Sequence, residues 1–289
     1  MLTSAFLLVV CYFLCYILGM DTEQKEKKEK LVAKLQQFRL MDDDFMTKFF
    51  ENDIERTQFV LQILLENKDL IVKEACVQKV IKNLEGRSVR LDIYARDSSD
   101  KPYDIEIQRA KDGAGAKRAR YNSALMDARE ILSGDDTEKL PETYVIFITE
   151  KDFYGEAKPL YKIDRYINGE KLFNDEAHII YVNGEYRGND PIGDLMHDFN
   201  CTKASEMRNK ILADKVRYYK ETPKGVSQMC QIMEDLIAEE KAEEKISLAI
   251  KNLERGIIKE DQIADLYSLS SEQVSKVLEL YHNKVAVQA

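Results

Sequence analysis

The sequence predicts an α/β domain, a mixed central sheet flanked by helices, followed by an α-helical tail. Three observations lead there. Tyr144–Ile148 is an unbroken apolar run, as expected of a strand buried on both faces. Ser88–Ala95 and Tyr103–Arg109 read as two strands joined by the turn-rich residues Arg96–Pro102, which makes them a hairpin. Beyond Cys201 the strand signal fades, and apolar residues recur at helical spacing.

Taken in order, Met1–Met20 carry no charge, include the apolar run Phe6–Leu18, and by their twenty-residue length could just span a bilayer. The run lacks the basic start and small-residue cleavage site of a secretory signal, and Asp21–Lys30 mixes acids with lysines, which gives no orientation bias. Two readings stand: an amino-terminal membrane anchor ahead of a cytoplasmic domain, or a start codon assigned too early, with Met20 or Met41 the true beginning. The second accords with a wholly cytoplasmic protein. The expected organisation is an apolar segment and charged linker over residues 1–40, an α/β domain over 41–220 and a helical region over 221–289.

Residues 42–66 open with acids and continue through Phe49, Phe50, Ile54, Phe59, Ile63 and Leu64, a helical pattern ahead of the sheet. Strands are expected over 75–84, 88–95, 103–109 and 143–149. A helix over 116–133, with Ala119, Leu125, Met126, Ile131 and Leu132 on its core side, separates the last two. Residues 160–167 and 178–182 extend the sheet, Asn183-Gly184 turns the chain, and a short helix bearing His197 follows Pro191. In the tail, Ile246, Ala249, Ile250 and Leu253 form one stripe, and Val274, Val277, Leu278 and Tyr281 another. Ser270 and Gln273 have capping-box spacing. Helices over about 259–267 and 271–282, joined by a short turn, invite a helix-turn-helix reading. Charge opposes it, because Lys276 is the only basic residue of the second helix and stands beside Glu272 and Glu279. A helical hairpin for packing or homo-oligomerisation is the better expectation.

The chemistry is expected on the hairpin. Tyr103, Ile105 and Ile107 share one face of the second strand, while Asp104, Glu106 and Gln108 share the other. A hairpin centred near Ser99 sets Asp92 across from Glu106. Like charges directly opposed destabilise a sheet unless something neutralises them, and carboxylates are the oxygen ligands that suit Mg²⁺. A solvated edge hairpin is the competing reading, and spacing alone does not separate the two.

Asp92, a hairpin connection and Glu106-Ile107-Gln108 together resemble the D-x(n)-E-x-K core of the PD-(D/E)XK nuclease superfamily, with glutamine in place of lysine. That variant is similar to the Rpn family of recombination-promoting nucleases, also labelled transposases. The resemblance continues through Asp42–Phe50, Lys117–Tyr121, Leu140–Glu150, His178–Gly184 and Leu195–Phe199, and covers roughly residues 40 to 240 as an ordered set. It implies a restriction-endonuclease-like core and a Mg²⁺- or Mn²⁺-dependent DNA endonuclease that promotes recombination or mobile-element activity. Asp92, Glu106 and the carbonyl of Ile107 would hold the metal. Gln108 would orient the attacking water, with electrostatic support from Lys117, Arg118 or Arg120. In many members the helix ahead of the sheet lends an acid. Glu51 and Glu55 are the candidates here, although surface roles suit both better. Asp104 is expected to be a supporting or solvated residue.

A net charge of −9 means the protein as a whole does not attract polyanions, so DNA must meet a local patch. Arg109, Lys111, Lys117, Arg118 and Arg120, against Asp112 alone, supply one directly after the Glu106 strand. Arg109, Lys117, Arg118 and Arg120 are therefore the expected phosphate contacts. The cysteines Cys11, Cys15, Cys76, Cys201 and Cys230 and the histidines His178, His197 and His282 show neither zinc-ligand nor disulfide spacing, and His197 reads as a packed or capping residue. No G-x-x-x-x-G-K-[ST] loop or G-x-S-x-G elbow occurs, so no nucleotide cofactor is expected. The rival reading keeps the fold without turnover, as a DNA- or protein-binding module.

Overall fold

The computed structural model describes residues 22–83 and 86–288; the apolar segment Met1–Met20 and Leu84, at the end of the first expected strand, lie outside them. The chain divides into two compact units. One is residues 33–222; the other joins residues up to 32 with those from 223 onward. Among the described residues no helix is long and apolar enough to cross a membrane.

The elements run α1 (Thr22–Gln37), α2 (Asp43–Phe50), α3 (Ile54–Leu64), β1 (Val72–Ile81), β2 (Val89–Asp97), β3 (Pro102–Gln108), α4 (Ala116–Glu130), β4 (Thr143–Thr149), β5 (Leu160–Ile163), β6 (Tyr166–Ile167), β7 (Lys171–Leu172), β8 (Ala177–Asn183), α5 (Pro191–Asn200), α6 (Lys210–Glu221), α7 (Pro223–Glu254), α8 (Ile263–Tyr267) and α9 (Ser271–Gln288). Six strands form one sheet in the order β1-β2-β3-β4-β8-β5. Its β1, β2 and β3 are antiparallel, β3, β4 and β8 are parallel, and β5 returns antiparallel to β8. The fold class is as expected: a mixed α/β core followed by helices.

Several boundaries differ for local reasons. The helix expected over 42–66 is two helices, because Asn52 adopts a left-handed backbone (φ 52) and the next residue, Asp53, caps α3 through the Arg56 N–H. α4 stops at Glu130, so Ile131 is its C-cap and Leu132 is 75% exposed rather than core. The segment 160–167 is not one strand. β5 pairs with β8, whereas β6 pairs only with β7 across a turn in which Asn168 and Gly169 both take positive φ.

β3 and β4 are buried on both faces. One face packs Tyr94, Val145, Phe147 and Tyr181 with Ala119 and Met126 of α4. The acids of β3 belong to this same face, since Asp104 pairs with Tyr94 on one side and Val145 on the other, and Glu106 pairs with Phe147. On the opposite face the rings of Tyr103, Tyr144 and His178 stack across β3, β4 and β8, with centroids 5.1 and 4.7 Å apart.

α5 starts where Asp190 accepts the Gly193 N–H (2.8 Å), with Pro191 in the first turn. A Cβ on Gly193 would overlap the backbone carbonyl of Gly188, which cannot swing aside as a side chain can. Gly193→Ala is expected to cost roughly 2 kcal/mol, read as a lowered denaturation midpoint in urea. An unchanged midpoint would show that the 188–190 loop yields freely.

In the other unit, Ile246, Ala249, Ile250 and Leu253 of α7 pack with Ile263, Leu269 and Val277, flanked by Val274, Leu278 and Tyr281. Both tail stripes therefore face one small core. The capping box forms as its spacing predicts: Gln273 N–H donates to Ser270 Oγ (3.3 Å), and Ser270 N–H donates to Gln273 Oε1 (2.9 Å).

Candidate active site

The β2–β3 ladder runs from Arg96/Pro102 to Ile93/Ile105, a register centred on Ser99. The next rung carries Asp92 and Glu106. There side chains take over from the backbone ladder: the Ile107 N–H donates to Asp92 Oδ2 (3.0 Å), and the Asp92 N–H reaches Glu106 Oε1 (3.4 Å). The two acids meet as the hairpin reading expects. The setting differs from a solvated edge, because β3 is central and Asp104 and Glu106 have no exposed surface.

α4 covers these acids with polar side chains. Asn122 donates to Asp104 Oδ2 (3.0 Å). Arg118 donates to Glu106 Oε2 and, through its other terminal nitrogen, to the Gly113 carbonyl (3.0 Å). Gln108 donates its amide to the same Glu106 oxygen (3.3 Å). Gly113 lies against the Gln108 amide, and a Cβ there would push the Gln108 side chain from its present place.

Burial dominates the electrostatics. It raises the Asp92 carboxyl from 3.8 to about 6, helped by the charge of Asp43 and opposed by the Ile107 N–H and Arg118. It raises Glu106 from 4.5 to about 7, helped by Asp92 and opposed by Arg118. Asp104 is pushed well above the carboxylate range by burial and by Glu106. Burial and the neighbouring acid therefore favour its neutral form, and its Oδ1 has no hydrogen-bond partner. Three carboxyls thus crowd one place, and among the described residues Arg118 is the cation paired with Glu106. A divalent cation fits this donor set, because Asp92 and Glu106 are hard oxygen ligands whose two carboxylates one guanidinium does not balance.

The remaining expected residues separate. Arg109 is ion-paired with Asp42 (2.9 Å) and Glu150 (3.2 Å), and Arg39 pairs with the same two acids (3.3 and 2.7 Å). This closed four-membered ring ties down the end of β3, and the Arg109 side chain remains 58% exposed. Lys117 and Arg120 are exposed on α4, and the side chain of Lys111 lies outside the described residues. Glu51 pairs with Lys48, and Glu55 is solvent-exposed beside Arg56, so both are surface acids. The acid of the preceding helix whose charge reaches the site is Asp43 instead. Nothing in the run Asp42–Asp44 marks which member faces the sheet. Asn122 is likewise silent in sequence, its role coming from its place on α4 one turn after Arg118.

His197, Asp198 and Cys201 also cluster, with His197 Nδ1 3.1 Å from Asp198 Oδ1 and 3.5 Å from Cys201 Sγ. Asp198 is already engaged: it accepts the N–H groups of Arg208 (2.7 Å) and Asn209 (2.7 Å) and the Asn209 amide (2.9 Å). Burial and Asp198 push the Cys201 thiol up to about 11, away from the thiolate that metals bind. The group fastens the start of α6 and fits the packed role expected of His197.

No curated protein and no solved structure matches this chain. A family model does, over residues 45–185, a span that begins just before the first phenylalanines of α2 and ends after β8, enclosing Asp92, Glu106 and Gln108. The domain built around these acids matches the family model of the PD-(D/E)XK nuclease family transposases.

Proposed function

We propose that this domain is a metal-dependent DNA endonuclease whose strand breaks feed recombination or mobile-element movement. The observation that carries the reading is the buried rung Asp92/Glu106, two acids brought together at a charge excess that folding alone would disfavour. Asp92, Glu106 and the Ile107 carbonyl would hold Mg²⁺ or Mn²⁺. When bound, the metal supplies Lewis-acid polarisation of the scissile phosphate and a water of lowered pKa. Asp92 is kept in place by the Ile107 N–H, and Glu106 by Gln108 and Arg118. Asn122 fixes Asp104, whose carboxyl burial and Glu106 hold toward its neutral form, which limits the charge buried there. The Gln108 amide is a neutral donor in contact with Glu106, suited to orient a water and unable to add charge. Lys117 and Arg120, exposed on the same helix, are placed to meet phosphates without reading bases.

Purified full-length protein is expected to nick supercoiled plasmid with Mg²⁺ and not with chelator. Absence of metal-dependent nicking at any pH would favour the binding-module reading. The raised carboxyls give the sign of the pH dependence. Metal requires both acids ionised, so Mg²⁺ affinity and cleavage should climb as pH rises through about 6 to 7. In metal-free protein the folded state binds more protons than the unfolded one between the ordinary values, 3.8 and 4.5, and the raised ones. Its stability from these groups is therefore complete below that window and is lost as pH rises across it. Calorimetry in chelator should show a midpoint that falls with pH there, and Mg²⁺ should reverse the fall.

A further inference from the structure

The commonest form of the motif places a lysine where this chain has Gln108, so the site lacks that cation on β3. Arg118 occupies the space instead. Its guanidinium touches Glu106 Oε2 at one end and the Gly113 carbonyl at the other, near the Phe147 ring (5.9 Å). Its side chain is 39% exposed, whereas Glu106 is wholly buried, so the guanidinium stands at the mouth of the site between the acid and solvent. Gln108 Nε2 shares the same Glu106 oxygen. A lysine at 108 would bring a second positive charge to an oxygen that already holds Arg118.

We propose that Arg118, delivered from α4, is the cation of this active site: it guards Glu106 in the metal-free protein, then exchanges that carboxylate for a phosphate oxygen of bound DNA. The inference rests on the nuclease reading and deepens it. Arginine suits the exchange because its planar fork pairs equally well with a carboxylate and a phosphate and never loses its charge. On this view Gln108 is the neutral partner that a site with Arg118 requires, rather than a weakened lysine.

The exchange separates two measurements, Mn²⁺ binding by calorimetry and single-turnover cleavage of supercoiled plasmid, on the full chain. Arg118→Gln removes the competitor for Glu106, so Mn²⁺ should bind about tenfold more tightly. The same variant should cleave roughly a hundredfold more slowly, having lost its phosphate contact. Gln108→Lys alone should weaken Mn²⁺ binding and cleave no faster than the parent, because two cations then crowd Glu106. Gln108→Lys with Arg118→Gln moves the charge from α4 to β3 and should recover most of the lost rate. Unchanged Mn²⁺ affinity in Arg118→Gln, or a double variant no faster than Arg118→Gln, overturns the proposal. If the parent binds Mn²⁺ but cuts no DNA, the nuclease reading fails by itself, and the affinity comparison still decides whether Arg118 guards Glu106. If the parent takes up no Mn²⁺, both fall.

Discussion

Asp92→Ala and Glu106→Ala are each expected to lower metal-dependent plasmid cleavage by roughly a thousandfold or more, the scale of losing about 4 kcal/mol of transition-state stabilisation. Both should leave the circular dichroism spectrum unchanged. The apo protein should be no less stable, because the pair is held together against its own repulsion and against burial of charge. Glu106→Gln is the sharper variant. It keeps the shape, removes the charge, and leaves Arg118, 39% exposed, free to turn to solvent. Its melting temperature in chelator should equal or exceed the parental one, and the increase on adding Mg²⁺ should disappear. Parental nicking by any of the three would remove these acids from the chemistry. A loss of folded signal would reassign them to the scaffold.

Asp198→Ala is expected to destabilise the domain by about 3–5 kcal/mol without touching the proposed site. Asp198 has no exposed surface and takes both backbone N–H groups at the entry to α6, together with the Asn209 amide. Truncation leaves these donors without a partner in a place water does not reach, and each such orphan is costly. Asp198→Asn keeps one carbonyl oxygen and turns an NH₂ toward the remaining donors, so it should fall between the parent and Asp198→Ala. Urea denaturation reads the series. If Asp198→Asn matched the parent, the carboxylate would not be the acceptor that matters. Stability of the parent insensitive to a strong chelator would also separate this anchoring role from any metal held with His197 and Cys201.

The chain reveals its sheet more readily than its site environment. Alternation along β3 and the turn residues between Arg96 and Pro102 fix which side chains share a face and set Asp92 near Glu106, because both signals are local. The same alternation cannot tell whether a polar face meets water or a helix. That α4 lies over Asp104 depends on the return to β4, a long-range pairing. Arg109 shows the same limit. As a basic residue following the site strand it reads as a phosphate contact, yet its partners Asp42 and Glu150 come from distant parts of the chain. Helix breaks were hidden for a different reason, since Asn52 interrupts an apolar pattern that remains nearly periodic on both sides of it.

The turn at the far end of the hairpin imposes a constraint on how such a protein can evolve. Asp97 closes that turn, its carboxylate taking the N–H groups of Ser99 (2.8 Å) and Lys101 (3.0 Å), and Asp100 supplies the left-handed residue (φ 66). Ser98 and Ser99 are solvent-exposed, so substitutions at these two positions are cheap. Its length is another matter. Adding or deleting one residue would slide β2 by a single step against β3, and in a sheet that exchanges the two faces of the whole strand. Asp92 would turn to the opposite face of the sheet, and Ile93 would take its place before Glu106. Lineages can rewrite these two letters of the loop at little cost, but a change in its length must be absorbed by a bulge or it severs one half of the acid pair from the other.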